Sequence, residues 1–189
     1  MNWKRKRMEA ILLAEKSGNN EEIQKAIITL LNKEPANQFG IQRLISLRIK
    51  EGDTSSAIKL LFKYNEMFIE AQAHVQLAQL LCNTERYDEA SEELDEALLL
   101  EPTNFYLWQF AGEVALKLND MTKAKKLFLT SSKLSDYKYL RALMSALYTI
   151  NLSKEKGEKV DAICSQFQIF IDKLQADVAG IKEELIASY

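Results

Sequence analysis

The chain has 189 residues, 47% of them hydrophobic and 28% charged, with a formal charge of −2. Such a composition excludes a disordered chain, the length suits one ordinary domain, and the balanced charge carries no global nucleic-acid signal. Two prolines and six glycines exclude loop-rich and long strand-rich architectures, while two distant cysteines, Cys82 and Cys164, exclude a metal-ligand spacing and fit a reducing compartment.

No apolar run approaches the roughly 18 residues of a membrane span. A basic start does precede Ile11-Leu12-Leu13-Ala14, but Glu9 and Glu15 flank that run and no cleavage pattern follows. The protein is therefore expected to be soluble, neither secreted nor inserted.

The first stretch, about 4–36, opens on Lys4-Arg5-Lys6-Arg7 beside Trp3. The run fits either a solvated helix start or a contact to acidic lipid headgroups or an acidic partner. Ile11, Ile23 and Ile27 then begin three columns that recur down the chain. In the second stretch, 37–70, the same columns hold Ile45, Ala57 and Leu61. In the third, 71–104, they hold Ala78, Ala90 and Leu94, and in the fourth, 105–136, Gly112, Ala124 and Phe128. The spacing runs 34, 33 and 34, with a single-residue deletion near Ile69 and Glu70.

Each copy has the pattern of two amphipathic helices. The third is clearest: Leu77, Ala78 and Leu81, then Ala90, Leu94, Ala97 and Leu98, follow the i, i+3, i+4, i+7 spacing of one helix face. Pro35 and Pro102 close two copies, since proline cannot continue a helix, and Gly18 and Gly52 fall at the turn between paired helices. The small residue at the eighth position lets paired helices approach closely. Ala90 and Ala124 do the same for neighbouring pairs, and Leu94 and Phe128 fill the space so created.

The period, the columns and the large residue at position four (Ile41, His74 and Trp108, with Arg7 in the first copy) resemble the tetratricopeptide repeat family. The fold class expected is all-α: a tetratricopeptide solenoid of about four helix pairs over 1–136, with a C-terminal capping helix region over 137–189. Within the latter, Tyr139 to Ile150 is apolar around most of its circumference. A stripe from Val160 to Leu185 either caps the solenoid or binds a neighbour.

No catalytic constellation emerges. The one histidine, His74, sits in the large-residue column and is expected to be packed, so the chain is expected to be no enzyme and to hold no metal or cofactor. Seven acids from Asp88 to Glu101 precede Lys123, Lys125 and Lys126, fitting either registry between adjacent helices or a solvated surface. In the repeat family, positions two, five and nine of each first helix line the concave face. That likeness implies a partner-binding face of Phe39, Gln42 and Ser46, then Gln72, Val75 and Gln79, then Tyr106, Gln109 and Glu113. The Lys and Asn clamp of co-chaperones that read C-terminal carboxylates is absent from these columns.

Three runs are more specific: LLFKYNEMFIEAQAHVQLAQLLCNTERYDEASEEL, LEPTNFYLWQFAGEVALKL and YLRALMSALYT, the last with Arg141-Ala142-Leu143 opening a helix. They resemble the family of subunit 2 of the endoplasmic-reticulum membrane protein complex, although this chain is shorter. The resemblance implies a scaffold on the cytoplasmic face of the endoplasmic reticulum membrane, associated with the membrane through partners only. It would hold membrane-embedded subunits 3 and 5 and cytosolic subunit 8 or 9, and support insertion of tail-anchored and multipass proteins. The alternative is a stand-alone peptide-binding adaptor or co-chaperone. An RNA scaffold fits less well, because the groove columns are not basic.

Overall fold

Twelve side positions, three in each of four copies, decide the packing. Ile11, Ile23, Ile27, Ile45, Ala57, Leu61, Ala78, Ala90, Leu94, Ala124 and Phe128 are each at most 5% exposed, and Gly112 is buried with them. The computed structural model describes residues 3–135, and the elements among them are all α-helices. They pair as α1 (Trp3–Ser17) with α2 (Asn20–Leu31), α3 (Gln38–Lys50) with α4 (Thr54–Met67), α5 (Ala71–Asn83) with α6 (Tyr87–Leu100), and α7 (Phe105–Lys117) with α8 (Met121–Leu134). The fold is the all-α tetratricopeptide type that the columns predict. The expected helices over 137–189, including Arg141-Ala142-Leu143 and Cys164, lie outside the described residues.

The chain divides into two compact units, residues 1–100 and 101–189. In the first, α1 to α6 pack in chain order, each helix against the next. In the second, α7 packs on α8, and Gly112 shows why a small residue is needed at their crossing. A Cβ there would stand 2.6 Å from the Phe128 ring.

The turn inside each pair is built the same way. Gly18 and Gly52 take φ of 73° and 75°, and Glu85 and Asn119 take 60° and 58° at the equivalent positions. After α3, α5 and α7 the two residues beyond the cap donate back to the last turn, as Gly52 to Ile49 and Asp53 to Arg48. This closing motif requires the left-handed conformation whatever the residue. Glycine therefore marks only two of the four turns.

Junctions between pairs differ. Asn37 and Asn104 cap α3 and α7 by accepting from the amides of Gly40 and Tyr106. The register places Glu70 in the same column ahead of α5, yet it makes no side-chain cap bond. Only residues 68–70 separate α4 from α5, and both Phe68 and Glu70 are extended. The one-residue deletion read from the sequence thus falls in a short, straight junction. Glu70 is free there to turn its carboxylate elsewhere.

Candidate partner-binding groove

Glu70 turns toward α3 and α4. Its Oε2 accepts from the Tyr64 hydroxyl at 2.7 Å and from Gln42 Nε2 at 3.2 Å, and its Oε1 accepts from Gln38 Nε2. Gln42 and Gln38 also donate to the Tyr64 oxygen, at 2.6 and 3.0 Å. Tyr64 is 1% exposed and belongs to the column that holds Leu30 and Ala97, so its ring is core while its hydroxyl reaches the groove. Burial, then the hydrogen bond to Glu70, raises the Tyr64 phenol above its ordinary pKa. It stays protonated and donates. The network ties α3, α4 and the start of α5 together, and it satisfies the hydroxyl of the buried Tyr64 as donor and as acceptor.

Beside it lies a cavity of about 300 Å³ between α3, α4 and α5. Ile45, Leu61 and Ala73 supply apolar lining, and Gln42, Ser46, Gln72 and Gln76 supply polar groups. Arg43 lines it too, its guanidinium 4.9 Å from the Phe39 ring and its Nη1 3.5 Å from Glu15. Gln72 and Gln76 make no side-chain hydrogen bond among the described residues. Few apolar contacts with several convergent donors and acceptors suit a polar, water-tolerant interface.

Of the nine residues the sequence singles out, Phe39, Gln42, Ser46 and Gln72 come together in this cavity. Val75 and Gln79 lie further along α5, half-buried and exposed respectively, and do not line it. Tyr106, Gln109 and Glu113 lie along α7 in the second unit. Tyr106 is 51% exposed, but Gln109 is only 5% exposed and donates to Glu113 at 3.1 Å. Gln109 is therefore a packed residue with its Oε1 unsatisfied among the described residues, not an open contact. Gln38, Arg43, Tyr64, Glu70 and Gln76 were missed. Arg43 and Gln76 follow Phe39 and Gln72 by four, the spacing that shares a helix face, and could have been found that way.

His74 is packed as expected. Its Nδ1 lies 2.7 Å from Glu93 Oε2, and Asn65 Nδ2 donates to the same oxygen at 3.0 Å. One member of the acidic run therefore points inward and links α4, α5 and α6, while Asp88, Glu92, Asp95 and Glu96 are exposed. Among the described residues no three His, Cys, Asp or Glu side chains form a metal-binding group, and no helix is long and apolar enough to cross a membrane.

The sequence profile of the EMC2 TPR-like repeat domain matches residues 2–123, a span that contains the whole groove. The chain belongs to this family. It is 30% identical over 137 residues to ER membrane protein complex subunit 2-A of Xenopus laevis, covering 70% of this chain and 46% of that protein. With subunit 2 of Xenopus tropicalis the identity is 29%, with the same coverage. This member of the EMC2 repeat family thus spans about half the length of the curated relatives it matches. Solved structures share its fold. A MamA protein superposes with a TM-score of 0.71 at 18% identity over 93% of this chain and 94% of that one. A tetratricopeptide repeat protein from Parabacteroides merdae gives 0.67 at 13% identity, over 97% and 79%.

Proposed function

We propose that the chain is a non-catalytic scaffold subunit of the ER membrane protein complex, acting on the cytosolic face of the endoplasmic reticulum. It holds the cytosolic parts of membrane-embedded subunits 3 and 5, together with subunit 8 or 9, and so supports insertion of tail-anchored and multipass proteins. The observation that carries this is the family match over residues 2–123, which includes every residue of the groove. The groove of the first unit is the contact. Phe39 and the aliphatic lining exclude water, while Gln42, Ser46, Gln72 and Gln76 offer both donors and acceptors to a partner segment. The Tyr64–Glu70 network keeps the three helices at fixed spacing, so little order has to be imposed when the partner arrives.

The test is affinity recovery of the tagged chain from detergent-solubilised endoplasmic-reticulum membranes, with bound proteins identified and quantified. Several membrane subunits should be recovered in stoichiometric amounts, and a Ser46→Arg/Gln72→Arg variant, which fills the cavity from exposed positions, should lose them while melting like the parent. Recovery of chaperones alone, with the chain otherwise running as a free species, would contradict the proposal and favour an independent adaptor.

A further inference from the structure

The outward face of α1 breaks two rules of helix construction at once. It opens on Lys4, Arg5, Lys6 and Arg7 with no acid in its first turn, although cations at the positive end of a helix dipole are unfavourable. It also leaves Trp3, Leu12 and Leu13 exposed at 38%, 41% and 65%, Leu13 lying opposite the fully buried Ile11. Trp3, Lys6 and Leu13 recur at +3 and +7, so they run along one stripe of the helix. Lys4 and Arg5 are paired with Glu34 and Glu9. Lys6, Arg7 and Lys16 are exposed and have no carboxylate partner among the described residues, and Lys33 projects from the end of α2 over the Trp3 ring at 5.1 Å. Features that weaken a helix without compensation within it point to something outside it.

We propose that this face of α1 docks directly on an anionic bilayer surface. Lying flat, the helix sets Trp3 and Leu13 at the headgroup boundary, where an amphipathic indole is favoured. Arg7, Lys6, Lys16 and Lys33 flank them toward acidic headgroups, and the buried side of α1 keeps its packing on α2. The exposed Trp3 and Leu13 side chains are what separate a bilayer from an acidic protein as the occupant, because a purely electrostatic partner has no use for Leu13. Association is then direct and does not pass only through partner subunits. The proposal stands without complex membership, since its test needs only protein and lipid.

The full chain is mixed at low salt with phosphatidylcholine–phosphatidylserine vesicles and with phosphatidylcholine vesicles, and the bound fraction is read by sedimentation. Binding is expected on the anionic vesicles alone. It should weaken about thirtyfold in a Lys6→Gln/Arg7→Gln variant, each lost cation near the surface being worth roughly fivefold. It should also weaken in Leu13→Ser, whose charge is unchanged, with the melting of both variants matching the parent. Equal binding to both vesicles, binding to neither, or binding unchanged in either variant would overturn the proposal. So would soluble polyglutamate displacing the chain from vesicles with Leu13→Ser bound as well as the parent, the outcome for an acidic protein partner.

Discussion

Tyr64 is the residue on which the groove's geometry turns. Its ring fills a core position, and its hydroxyl is at once donor to Glu70 and acceptor from Gln38 and Gln42. Tyr64→Phe keeps the volume and removes those bonds, so it should lower stability by about 0.5–1.5 kcal/mol in urea unfolding; an unchanged midpoint would contradict the network. Glu85 holds a left-handed turn that glycine holds in two other copies. Glu85→Gly should raise stability by up to about 1 kcal/mol, the Cβ strain relieved less the entropy glycine loses, whereas a fall would show the turn is not strained. Asp53 caps α4, and hydrogen bonds from the Ser56 hydroxyl and amide hold its carboxyl below the ordinary aspartate range. A depressed folded pKa stabilises above the unfolded value and is lost as pH falls through the folded one. The stability gap between the parent and Asp53→Ala should therefore be present at neutral pH and close on acidification below that range. A gap that widened would contradict the assignment.

Among the elements, helix pairs were legible because a period of about 34 residues repeats the same burial four times, and twelve positions need only a column to be recognised. What the period cannot express is a residue that leaves its column's habit. Glu70 shares a column with Asn37 and Asn104 and looks like another cap, but a junction one residue shorter turns it into the groove's carboxylate. Glu93 reads as one acid among seven until α5 places His74 beside it. Gln109 occupies a groove column and is nevertheless buried. Each depends on contacts between elements that spacing along the chain does not encode. The crossing of α7 and α8 tests the column logic. Gly112→Ala should cost roughly 1–3 kcal/mol by crowding Phe128, and Phe128→Leu in the same chain should recover much of it, restoring the Ala78 and Leu94 combination of the third copy. Thermal melts of the two single variants and the double variant measure that coupling; simple additivity would contradict it.

For the molecule as a whole, the family match and the groove coincide in sequence, residues 2–123 containing Phe39 through Gln76. Partners of such a scaffold therefore touch the groove lining and not the far sides of the same helices. Photo-crosslinking residues placed at Ser46 and Gln72, and at the exposed Lys59 of α4 as control, examine it directly in solubilised endoplasmic-reticulum membranes. The prediction is an adduct with a subunit of the membrane protein complex from Ser46 and Gln72 and none from Lys59. Adducts from Lys59 with none from the groove would contradict it.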